Sequence, residues 1–140
     1  MTRLQKILLI EDDEITNFLN KTIIESTGLV DDLVFASNGQ EALDFLATVE
    51  HNQDYPNLIL LDINMPVLDG FGFLEAFKKL PKNGKPPIEV VVLSTSSHPQ
   101  DLGNMQSYGI TTCLEKPLTE AAFMEVLAGI GHNMAPQATC

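Results

Sequence analysis

Two rhythms alternate along the chain. Short apolar runs break off at polar residues, and most are followed by stretches whose apolar residues recur at helical spacing. Residues 6–10 read Lys-Ile-Leu-Leu-Ile and stop at Glu11-Asp12-Asp13-Glu14. Residues 58–61 read Leu-Ile-Leu-Leu and stop at Asp62. Residues 88–93, with Val90, Val91 and Val92 in the middle, form the most β-prone run and stop at Ser94. Weaker runs cover 33–36 and 111–115. Runs this short and apolar throughout fit strands buried on both faces of a parallel sheet.

Between them the period is helical. Ile15, Phe18, Leu19 and Ile23 share one side of a helix that Gly28 closes. Asn38 caps a second, with Glu41 reaching back, and Ala42, Phe45, Leu46 and Val49 form its stripe. Phe73, Ala76, Phe77 and Leu80 stand at i, i+3, i+4 and i+7. A helix over 99–108 has a thin stripe, Leu102 and Met105, before Gly109 breaks it. Thr119 caps a last helix carrying Phe123, Val126, Leu127 and Ile130. The tail from His132 to Cys140 has no period and reads as loosely packed or disordered. Strand followed by helix, five times over, predicts an α/β fold with a parallel sheet covered on both faces.

Bulk properties narrow the function. At 140 residues the expectation is one domain over 1–131 with a tail over 132–140 and no output domain. The formal net charge of −11 argues against binding nucleic acid, because a phosphate surface calls for clustered Lys and Arg. No apolar run approaches the roughly 20 residues of a membrane span, and residues 1–6 lack a signal peptide's apolar segment. Cys113 and Cys140 have no paired spacing and read as reduced thiols of a cytoplasmic protein.

Chemistry-bearing residues collect where the predicted strands end: Glu11 and Asp12, Asp62, Ser94, and Lys116. In a doubly wound sheet of order 2-1-3-4-5, strands one and three adjoin at the topological switch point, so Glu11, Asp12 and Asp62 meet in one crevice with Ser94 and Lys116 on its rim. Crowded carboxylates repel, and a divalent cation relieves them. Hard oxygen ligands favour Mg2+, which retains waters and bridges carboxylate to phosphate. Such a site can hold a phosphoryl group beside a carboxylate, and Asp62 is then the candidate nucleophile. Asp13 and Glu14 read instead as helix caps and complements to the helix dipole.

Four segments together resemble the receiver domain of two-component response regulators: Ile-Leu-Leu-Ile-Glu-Asp-Asp (7–13), Leu-Ile-Leu-Leu-Asp-Ile-Asn-Met-Pro-Val-Leu-Asp-Gly (58–70), Val-Val-Leu-Ser-Thr-Ser (91–96) and Glu-Lys-Pro-Leu (115–118). The resemblance runs from Lys6 to about Ile130. It implies a flavodoxin-like three-layer fold and Asp62 as phosphoacceptor from a sensor histidine kinase. It implies Mg2+ held by Glu11, Asp12, Asp62 and the backbone carbonyl of Asn64. Ser94 matches the switch hydroxyl and Lys116 the lysine that pairs with the phosphoryl oxygens, with a cis Lys116-Pro117 bond. The implied partners are the kinase and either a downstream protein target or a histidine phosphotransfer protein, with the domain a monomer or weak dimer. A signalling module, not an enzyme in the ordinary sense, is implied. A small-molecule phosphatase is disfavoured because Asn64 stands where such enzymes carry a second acid. One departure is Cys113, which occupies the position of the family's switch aromatic.

Overall fold

The computed structural model describes residues 4–49, 54–62, 70–80, 88–94, 112–129 and 137–138. Six strands appear: β1 (Leu4–Ile10), β2 (Val30–Ala36), β3 (Leu58–Asp62), β4 (Glu89–Ser94), β5 (Thr112–Glu115) and β6 (Gln137–Ala138). Four helices accompany them among the described residues: α1 (Glu14–Thr27), α2 (Gly39–Thr48), α3 (Gly70–Lys78) and α4 (Glu120–Gly129). The helix expected over 99–108 lies outside the described residues.

All pairings are parallel, in the order β2-β1-β3-β4-β5-β6. The expected 2-1-3-4-5 order is therefore present, with one strand added at its edge. That strand corrects the reading of a loosely packed or disordered tail at Gln137 and Ala138; the rest of 132–140 lies outside the described residues. Gln137 and Ala138 lie in register with Thr112 and Cys113. Two residues carry too little pattern to register as a strand in sequence, and the unpaired edge of β5 is what gives them backbone partners.

Alternation along the strands sorts the core into two layers. Leu8, Ile10, Ile59, Leu61 and Val92 pack on one face with Ala42 and Leu46 of α2 and Phe73 and Leu74 of α3. Ile7, Leu9, Leu58, Leu60 and Leu93 pack on the other with Ile24 of α1 and Phe123, Val126 and Leu127 of α4. All five residues of β3 are buried, as expected of the central strand of a doubly covered sheet.

Local signals place the helix ends. Asp13 accepts from the Thr16 N–H at α1, and Gly28 ends that helix in the left-handed region at φ 67°. Asn38 accepts from the Glu41 N–H, while the Glu41 carboxylate returns to the Ser37 N–H, one residue before the cap. Thr119 accepts from the Ala122 N–H at α4.

On α1 the stripe expected from sequence meets the core only at Ile23, which packs against it half-buried. Asn20 and Ile24 face the core, whereas Ile15, Phe18 and Leu19 are 70%, 67% and 51% exposed. On the inward side Asn17 Nδ2 donates to the Glu11 carbonyl at 3.1 Å, which ties α1 to the end of β1.

The cysteines need a correction as well. Cys113 is buried and disulfide-bonded, not a free thiol. The state of a thiol is decided by what the fold lays beside it, which the spacing of two cysteines in sequence does not reveal.

Candidate functional site at the carboxyl edge of the sheet

The site is built by register. Ile10 pairs with Leu61, so the next residues on these adjacent strands are Glu11 and Asp62. Glu11 shares strand parity with Ile7 and Leu9, and Asp62 with Leu58 and Leu60. Those residues belong to the layer under α1 and α4, so both carboxylates emerge on one side of the sheet as well as at one edge. Lys116 follows β5 with the parity of Leu114, which packs against the same layer.

The Lys116 Nζ stands 2.9 Å from Asp62 Oδ1 and 3.4 Å from Glu11 Oε2. The two carboxylates are almost fully enclosed, with side chains 3% and 4% exposed. Asp12 is exposed. Glu11, Asp12 and Asp62 each present an oxygen within 4.8 Å of the others. The loop carrying the first two is fixed at both ends. The Glu11 N–H donates to the Ala36 carbonyl at 3.0 Å, and its carbonyl receives the Asn17 amide. Sequence reasoning did not single out Asn17. Its only signal was a polar residue on the side of α1 that also carries Asn20 and Ile24, where the polar residues break the apolar pattern.

One lysine does not balance three acids, and the ionisation shows it. Burial, then the hydrogen bond and charge of Asp62, raise Glu11 to about 8, against the opposing pull of Lys116. Burial pulls Lys116 down, but the carboxylates of Asp62 and Glu11 prevail and hold its ammonium above the usual lysine range. At neutral pH the metal-free site therefore keeps a proton on Glu11, the cheapest way to enclose both carboxyl groups. A divalent cation does the same work as that proton. Three hard oxygen donors in a partly open cluster suit Mg2+, Mn2+ or Ca2+ rather than a thiophilic metal.

Asp13 stays out of the cluster as a cap, its carboxyl held low by its bonds to Thr16. Ser94 ends β4 in register with Glu115, at the same edge of the sheet. Asn64 lies outside the described residues. The Lys116–Pro117 peptide bond is cis.

This carboxyl-edge cluster, its acids at the β1/β3 switch point and its lysine after β5, coincides with a match to the response regulator receiver domain over residues 7–128. The chain belongs to the response regulator receiver family. The receiver is 30% identical over 126 residues to the two-component response regulator ARR22 of Arabidopsis thaliana, covering 90% of this chain and 83% of that one. A two component response regulator from Cytophaga hutchinsonii superposes with a TM-score of 0.80 at 32% identity, covering 91% of this chain and 96% of the other. The receiver is also 27% identical over 123 residues to hybrid signal transduction histidine kinase I of Dictyostelium discoideum. It covers 88% of this chain but spans only 7% of that kinase's length. This receiver is thus homologous both to response regulators and to the receiver portions of phosphorelay kinases.

Proposed function

We propose that Asp62 accepts a phosphoryl group from a phosphohistidine of a sensor histidine kinase. The domain then signals to a protein partner through a shift in its conformational equilibrium. The observation that carries this reading is the Asp62–Lys116 contact of 2.9 Å at the mouth of β3, with Glu11 and Asp12 alongside. A carboxylate oxygen of Asp62 attacks phosphorus, the P–N bond to the histidine breaks, and an acyl phosphate forms. Glu11, Asp12 and Asp62, with the Asn64 carbonyl that the family resemblance implies, would hold Mg2+, which would neutralise charge on the phosphoryl oxygens. Lys116 pairs with those oxygens, and the Ser94 hydroxyl donates to them and acts as the switch. Once the group is on, Lys116 exchanges a carboxylate partner for a phosphoryl one, which alters the end of β5. The cell compartment for this reading is the cytoplasm.

The donor's approach is suggested by the exposed apolar stripe of α1. Ile15, Phe18 and Leu19 begin one helical turn from Glu11 and Asp12, and an apolar patch beside a reactive site suits a protein partner. Likeness to a hybrid kinase supports a second reading, in which Asp62 passes its phosphoryl group on to a histidine phosphotransfer protein.

Intact-protein mass after incubation with acetyl phosphate tests the assignment. One phosphoryl adduct is expected with Mg2+, and none with EDTA or in Asp62→Asn. Full labelling of Asp62→Asn would remove Asp62 from its role.

A further inference from the structure

Asp12 is the member of the acidic cluster that burial does not hold. Glu11 and Asp62 are enclosed and Asp12 is exposed, yet its carboxylate oxygen lies within 4.8 Å of theirs. The backbone must therefore aim it. The peptide plane between Glu11 and Asp12 carries the Glu11 carbonyl and the Asp12 N–H as one rigid unit. Asn17 Nδ2 donates to that carbonyl at 3.1 Å, and the Glu11 N–H, in the plane before it, donates to the Ala36 carbonyl at 3.0 Å. With both planes pinned, little freedom is left in where the chain points Asp12.

An asparagine amide keeps a direction when its other end is held as well. Asn17 Oδ1 is buried, and among the described residues nothing donates to it. One other buried side-chain atom is in the same position, Nδ2 of Asn20, a residue only 3% exposed. The first is an acceptor and the second a donor. They stand three residues apart on α1, where side chains are neighbours with about 5–6 Å between Cβ atoms. Ile24, fully buried four residues beyond Asn20, bounds this polar strip with the apolar layer of Ile7, Leu9 and Phe123. An enclosed donor and acceptor left unpaired are costly, and one water bridges a gap of this kind.

We propose that Asn17 and Asn20 enclose one buried water, which accepts from Asn20 Nδ2 and donates to Asn17 Oδ1, and that both are positioning residues for Asp12. Neither side chain belongs to the acidic cluster itself. The water fixes the Asn17 amide, the amide fixes the Glu11–Asp12 peptide plane, and the plane sets Asp12. Only the last consequence, tighter cation binding, rests on the Mg2+ site proposed above. An apolar side chain in place of Asn20 would pack at least as well, so packing does not account for a polar residue there.

The experiment uses the full chain, nitrogen-labelled, first in EDTA. Water-selective Overhauser spectra are expected to show a long-lived water at the Asn20 side-chain amide of wild type. The Asp12 N–H should have an order parameter of about 0.85 in wild type, and Asn17→Ala and Asn20→Leu should each lower it toward about 0.6. Asn20→Leu should nevertheless unfold in urea no earlier than wild type, whereas a merely structural role would move stability and leave the Asp12 N–H alone. Titration with Mg2+ should then give a Kd weakened roughly tenfold in both variants. A wild type without the water signal, an Asp12 N–H as rigid in both variants as in wild type, or unchanged Mg2+ affinity in both would each overturn the proposal. A wild type that shows the water, with variants that show the loosened Asp12 N–H, but no Mg2+ binding by any of them, would sink the metal site and leave the positioning role standing.

Discussion

Replacing Glu11 by Gln removes the proton that the site keeps for itself, and the consequence is legible in stability against pH. Glu11 titrates near 4.5 when unfolded and is raised to about 8 in the folded, metal-free protein. Below the first value both states hold the proton. Between the two, the folded state keeps it and the unfolded state has released it. Stability therefore falls as pH rises, with a slope approaching about 1.4 kcal/mol per pH unit, and the contribution is gone above the folded value. From pH 5.5 to 7.5 the loss amounts to about 2–3 kcal/mol, a sizeable part of a small domain's stability. Glutamine keeps an acceptor for Lys116 and a donor for Asp62 but has no proton to lose. Urea unfolding in EDTA at half-unit steps from pH 5 to 8.5, followed by circular dichroism, gives the two curves. Their difference isolates Glu11 from other titrating groups. The wild type should converge on or fall below Glu11→Gln as pH rises. With saturating Mg2+ its downward slope should vanish, because the cation takes over from the proton. Parallel curves for the two proteins in EDTA would refute the retention of a proton on Glu11.

Other perturbations separate the parts. Lys116→Met keeps the alkyl stem but strips the cation from two enclosed carboxyl groups. In EDTA at pH 7 it should cost about 3 kcal/mol in urea unfolding, partly restored by Mg2+, and no loss would detach Lys116 from Asp62. Phe18→Asp places a charge on the exposed stripe of α1. It should slow transfer from a phosphorylated kinase severalfold while leaving labelling by acetyl phosphate unchanged, and equal effects on both donors would count against a docking role. Asn38→Ala removes the α2 cap and should lower stability by about 1 kcal/mol with phosphorylation intact, measured by the same denaturation and mass assays.

What the sequence determined by itself was whatever depends on neighbours in the chain. The apolar runs of β1, β3 and β4, the helical spacing of α2 and α3, the caps at Asp13, Asn38 and Thr119, and Gly28 all act within a few residues. Alternation of strand and helix then fixed a parallel, doubly covered sheet, because parallel neighbours need a crossover between them. From that topology the meeting of Glu11, Asp12 and Asp62 with Lys116 was legible before any coordinate, since a parallel sheet gathers its strand ends at one edge. Tertiary structure decided three things that local pattern does not contain. It chose which side of α1 faces the sheet, with Asn20 and Ile24 inward beside the Asn17 bond to the Glu11 carbonyl and Phe18 outward. It gave the tail a strand, because an open edge of β5 was there to receive it. And it set the proton on Glu11, because an acid's ionisation answers to burial and to charges that lie far away in sequence and close in space.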